Sequence, residues 1–220
     1  MSNTSLNIDV IYEIVSKDIA YVDTILREKD FVREEVIKLT RDIIRLSGDI
    51  VHKVHQGRYD EAHKQLVATR ELVDKLLTVV EPHPDLKYSG LTYNGLSEYI
   101  EAYMFYSIIV EKTIPSLKTL KTPIIPYLQG LGDLVGELRR YIVKLLNELK
   151  LKEAELLLEV MEAIYNNLKI IDYPEPLIPG IRHKVDVAFR LLEDTRVLLL
   201  HTKNSLRCIE PCSSDHSKKQ

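Results

Sequence analysis

Thr122–Leu149, TPIIPYLQGLGDLVGELRRYIVKLLNEL, decides how the rest of the chain is read. Thr122-Pro123 has the form of an N-cap followed by proline at the first helical position. No proline follows Pro126 before Leu149, so one helix over about 123–149 is expected. Asp133 and Glu137 stand four apart in it, a spacing that places both on one helix face. At 100° per residue they share that side with Gly130, Gly136, Arg140 and Lys144. Glycine there permits close backbone approach, and the two cations can offset acid charge or hold a phosphate.

A second acid pair lies about thirty residues upstream, in a segment that reads as helix from about Leu91 to Thr113 and stops before Pro115. Glu98 and Glu101, three apart, point within about 60° of each other, on the side that carries Ala102, Phe105, Ile108 and Ile109. An acid pair among apolar neighbours is not an ordinary solvated face. A connection of roughly ten residues makes the two acidic helices antiparallel neighbours. If their faces meet, four carboxylates converge, and they cannot all stay ionised without a cation. Hard oxygen donors of this kind suit Mg²⁺ or Mn²⁺. A chain that is 29% charged also places acids on helices for solubility alone, so spacing by itself leaves both readings open.

The remainder agrees with an all-α chain. Ile8, Ile11, Tyr12 and Val15 recur at helix spacing, as do Val32, Val36, Leu39, Ile43, Leu46 and Ile50. A break is expected near Lys29–Asp30, and Gly57 ends this region as a C-terminal cap. Further helices are expected over about 59–80, 151–170 and 179–206, separated by Pro82 and Pro84 and by Pro174 and Pro176. No stretch alternates with strand period. Residues 1–206 read as a single domain and 207–220 as a polar, disordered tail. Cys208-x-x-x-Cys212-x-x-x-His216 in that tail lacks a fourth zinc ligand.

Composition narrows the classes. Apolar residues make up 45% of 220, enough for one sizeable core. A formal net charge of −3 means that any nucleic-acid surface must be local. No apolar run approaches the ~18 residues of a membrane span, and the polar start has no signal-peptide h-region. The expected location is cytoplasmic, without membrane association.

Two segments carry a family resemblance. Leu96-Ser97-Glu98-Tyr99-Ile100-Glu101-Ala102 and Tyr127 to Tyr141 (YLQGLGDLVGELRRY) resemble the translin family, most nearly its TRAX-type subunits, whose signatures run approximately QEYVEA and DYLLGLADLTGELMRY. Lys38-Leu39-Thr40-Arg41-Asp42-Ile43 is similar to the family's KLSRDI stretch. The similarity spans about residues 30–205. It implies a translin-like bundle of six to seven long helices, assembled into a closed, octamer-like shell that handles RNA inside. It further implies that Glu98, Glu101, Asp133 and Glu137 are the catalytic, metal-binding acids of an endoribonuclease acting on single-stranded RNA. Translin-type subunits bind RNA without the full acidic set, whereas all four acids are present here. Ser97, Val135 and Arg139 depart from the family pattern, but none removes a ligand. The shell is expected to be a homo-oligomer, or a hetero-oligomer with a translin-type subunit.

The expected chemistry is two-metal phosphodiester hydrolysis with Mg²⁺ or Mn²⁺, leaving 5′-phosphate and 3′-hydroxyl ends. A basic track for RNA is sought on the N-terminal helix, where Lys38, Arg41, Arg45 and His52 fall within about 60° of one another. Arg140 and Lys144, one and two turns past the second acid pair, are the candidates for the scissile phosphate. Tyr99, Tyr103 and Tyr141 can stack bases, although tyrosines at this spacing more often belong to a core. Three rival readings stand beside this one. A non-catalytic translin-like subunit would use its acids structurally. An all-α nucleoside triphosphate pyrophosphohydrolase also uses E-x-x-E, but its second pair is usually E-x-x-D. A ferritin-like di-iron protein needs Glu-x-x-His pairs, which Glu98 and Glu137 lack.

Overall fold

The computed structural model describes residues 7–209, which are helical and contain no strand. Helix α1 (Ile8–His55) is a single rod of 48 residues. The break expected at Lys29–Asp30 is absent. Neither glycine nor proline occurs between Ile8 and Ser47, and Arg, Glu and Lys around position 28 are good helix formers. Lys29 instead reaches across to Asp85 at 2.9 Å. Gln56 closes α1 and Gly57 follows with φ 75°, the left-handed geometry that glycine supplies after a helix end.

Helix α2 (Tyr59–Val80) stops at the prolines, and the one-turn α3 (Pro84–Lys87) follows. Ser89 caps α4 (Gly90–Tyr106) by accepting from the Thr92 backbone N–H at 3.3 Å. The helix then widens into a π turn over Ser107–Glu111 and ends at Lys112, φ 58°. After the one-turn α5 (Leu117–Leu120) comes α6 (Ile124–Asn147), one residue later than expected. Pro123 occupies the cap position and makes no side-chain cap bond, while the Thr122 hydroxyl is buried without a partner. Helices α7 (Leu151–Leu168) and α8 (Ile181–Ile209) complete the chain. Most of the expected tail, with Cys212 and His216, lies outside the described residues.

Helix α1 packs on α2 and α4, α4 packs on α6, and α6 packs on α7 and α8. The contact between α4 and α6 thus joins two groups of helices and carries the core. Leu96, Phe105, Leu134, Leu138 and Ile142 are fully buried there, each contributing about 1.5–3 kcal/mol by leaving water. A smaller cluster of Ile125, Ile178 and Ile181 ties the start of α8 to the start of α6. No helix among the described residues is long and apolar enough to cross a membrane.

Candidate functional site

The acid pairs meet because glycine lets their helices approach. A Cβ added at Gly130 of α6 would lie 2.8 Å from Ile100 Cγ2 and 2.9 Å from the Ser97 carbonyl oxygen, both on α4. Gly132 plays the same part toward α8, where an added Cβ would stand 2.8 Å from Lys184 Cβ. Gly136, expected to serve this purpose, faces only Leu191 at an ordinary 3.9 Å. Ala102, Phe105, Ile108 and Ile109, the apolar companions of the first acid pair, are all buried.

Electrostatics show that the four acids form one group. Burial pushes the Glu101 carboxyl up to about 8, and Asp133, Glu98 and Glu137 push it the same way. Glu98 is also raised, first by burial and then by Asp133. Half-buried carboxylates on two helices therefore repel one another across the α4–α6 contact.

Two partners that sequence reasoning missed meet these acids, and one of them, Lys184, opposes the repulsion. Lys184 Nζ of α8 donates to Asp133 Oδ1 and Oδ2 at 2.5 and 2.6 Å. His55 Nε2, from the last turn of α1, lies 2.6 Å from Glu137 Oε2. The His55 ring is held against Phe105 and Tyr141, with centroids 4.9 and 5.7 Å away. Among the described residues no three His, Cys, Asp or Glu side chains are gathered closely enough to hold a metal ion. Donor type and charge nonetheless suit a divalent cation, since Glu98, Glu101, Asp133 and Glu137 act on one another across the α4–α6 contact and Glu101 has no cation of its own among the described ion pairs.

The proposed phosphate-contacting residues are placed differently from one another. Arg140 is exposed, with one guanidinium nitrogen 3.7 Å from Glu137. Lys144 is turned inward: its Nζ donates to the His55 carbonyl at 2.7 Å and lies 5.2 Å from the Tyr141 ring centroid. It thereby caps α1 and helps position His55. Lys38, Arg41 and Arg45 are exposed on α1, on the side opposite the buried stripe of Val36, Leu39, Ile43 and Ile50. Arg45 is 3.3 Å from Asp42. This basic stripe is not brought to the acids by the fold of one chain. Tyr99 and Tyr141 are buried, as core residues.

Residues 31–193 match the sequence profile of the translin family. The chain belongs to the translin family. An uncharacterized protein of Methanocaldococcus jannaschii is 31% identical over 184 residues, covering 83% of this chain and 81% of that one. The translin-associated protein X homolog of Schizosaccharomyces pombe is 22% identical over 177 residues, covering 74% and 77%. Among solved structures, AfC3PO in complex with duplex RNA superposes with a TM-score of 0.80 at 30% identity, over 88% of this chain and 100% of that one. Apo-NeC3PO shares the fold at a TM-score of 0.74 and 22% identity, over 82% and 96%. The translin fold expected from the acidic segments is therefore the fold of this chain.

Proposed function

We propose that this translin-family chain is the catalytic, TRAX-type subunit of a self-assembling, metal-dependent endoribonuclease. The observation that carries the reading is the placement of Glu101, buried on α4 at the contact with α6, where burial first and then Asp133, Glu98 and Glu137 all disfavour its charge. A buried acid group so poorly neutralised is costly unless a cation serves it. Glu98, Glu101, Asp133 and Glu137 would hold Mg²⁺ or Mn²⁺. When bound, such ions supply Lewis-acid charge and a water of lowered pKa for phosphodiester hydrolysis.

The chain's own residues set the conditions for that chemistry. The close α4–α6 approach at Gly130 fixes the spacing of the two acid pairs. His55 orients Glu137, and Lys144 holds the backbone of His55 in turn. Arg140 remains exposed beside Glu137 and is suited to a phosphate. Lys38, Arg41 and Arg45 offer a sequence-tolerant, salt-dependent grip on an RNA backbone, most useful where a neighbouring subunit or a long RNA bridges stripe and acids. AfC3PO is known with duplex RNA, so duplex as well as single-stranded substrates belong in the assay.

A second reading is favoured by the Lys184–Asp133 ion pair, which partly neutralises the acids from within, and by the contact that gives Glu137 a partner in His55. On that reading the chain is an RNA-binding subunit whose acids are structural. End-labelled single-stranded and duplex RNA, incubated with purified protein in Mg²⁺, Mn²⁺ or EDTA, separates the two. The nuclease reading expects metal-dependent cleavage, lost by about 100-fold or more in Glu101→Gln and Asp133→Asn. Binding without cleavage in either metal supports the structural reading.

A further inference from the structure

The first 21 residues of α1, Ile8–Glu28, are all exposed, and contact with the rest of the fold begins at Lys29. At 1.5 Å per residue this arm projects about 30 Å beyond the bundle. Its surface is not that of a solvated helix. Ile11, Val15, Ile19, Val22 and Leu26 are 45% or more exposed and line one face by helical counting. An isolated helix of this length is marginal in water and is normally held by packing of its apolar face. An exposed apolar strip of this extent marks an interaction surface.

Because α1 runs unbroken through Lys29, the arm cannot fold back onto its own bundle. The same chain offers a matching cavity elsewhere. A groove of ≈ 1470 Å³ opens between the π turn, α6 and α7, floored by residues such as Ile108, Leu131, Leu145, Leu157 and Val160. Its lining extends from Lys150 to Ile171 along α7, a helix about 27 Å long, close to the length of the arm. Charge agrees too. Residues 8–30 carry six acids against three bases, and the groove is edged by Lys112 and Lys150 against Glu153 alone. The family match begins at residue 31, just past the arm.

We infer that the arm of α1 docks in the groove between α6 and α7 of a second copy of this chain. The inference rests on the self-assembly put forward above and not on its nuclease chemistry. Docking covers both apolar surfaces at once and makes each subunit reach into its neighbour.

The test uses the full-length chain with Cys208 and Cys212 replaced by serine and a single cysteine introduced by Val22→Cys. A thiol-linked benzophenone on that cysteine is photoactivated in a mixture of ¹⁵N-labelled and unlabelled subunits, and the adducts are mapped by mass spectrometry. The expected adducts join position 22 of one isotope to the π turn, α6 or α7 of the other. In parallel, light scattering should show that Val15→Glu/Val22→Glu forms smaller particles than the unsubstituted chain, while keeping most of its helical circular dichroism. Adducts between two arms, adducts within one chain, or unchanged particle size overturn the inference while leaving self-assembly standing. A monomeric unsubstituted chain overturns both.

Discussion

Lys184 donates to both carboxylate oxygens of Asp133, at 2.5 and 2.6 Å, from a helix 51 residues further along the chain. One ammonium thus serves the acid that repels Glu101 and Glu98 most strongly among their charged neighbours. This pair is the internal counter-charge of the acid group, and on the proposed reading a divalent cation competes with it.

Removing that ammonium should therefore expose the demand for a cation. In EDTA, Lys184→Met should lose about 1–3 kcal/mol of stability, because a half-buried carboxylate is left without its donor. Added Mg²⁺ or Mn²⁺ should restore more stability to Lys184→Met than it adds to the unsubstituted protein. Differential scanning fluorimetry in EDTA and in metal measures both shifts. Equal metal responses would place Asp133 outside any cation site.

The raised Glu101 carboxyl makes stability depend on pH in a definite direction. Its folded value of about 8 lies above the ordinary 4.5, so between those values the folded state binds the extra proton and stability falls as pH rises. The contribution is fully present below about pH 4.5 and is gone above about pH 8. In EDTA, Glu101→Gln should gain on the unsubstituted protein across that window, by on the order of 2 kcal/mol, and the two should run parallel outside it. Denaturant unfolding at pH 4, 6 and 8.5 checks the sign.

Gly130 and Gly136, both on α6, meet opposite surroundings. Gly130→Ala drives a methyl group into Ile100 and the rigid Ser97 carbonyl. The overpacking cost of about 1–3 kcal/mol should exceed the ~1 kcal/mol that alanine adds as a helix former, so Tm falls and the acid pairs separate. Gly136→Ala meets only ordinary contact with Leu191 at 3.9 Å and should raise stability by about 0.5–1 kcal/mol. Thermal unfolding of the two variants side by side decides the matter.

Much of this was legible along the chain. Helix spacing pairs Glu98 with Glu101 and Asp133 with Glu137, and the short connection brings the pairs together. Local signals also mark the ends of α1 and α2 through Gly57 and Pro82, whereas the π turn that follows α4 at Ser107 has no such signal. The missing pieces are those that depend on distant partners. His55 lies 82 residues from Glu137 and Lys184 lies 51 from Asp133, separations at which periodicity carries no information. Lys144 looked available for phosphate because helical counting places it beside the acids, but it cannot show that the α1 carbonyl end arrives there. The continuity of α1 through Lys29–Asp30 was hidden by a cluster of charges that resembles a turn yet contains no residue able to break a helix.

Whether Glu98, Glu101, Asp133 and Glu137 act as one cation site is read from titration of Mn²⁺ followed by electron paramagnetic resonance. Saturable binding to the unsubstituted chain is expected, weakened at least about 10-fold by Glu101→Gln on α4 and likewise by Asp133→Asn on α6. Binding that is absent, or that is the same in all three proteins, would contradict it.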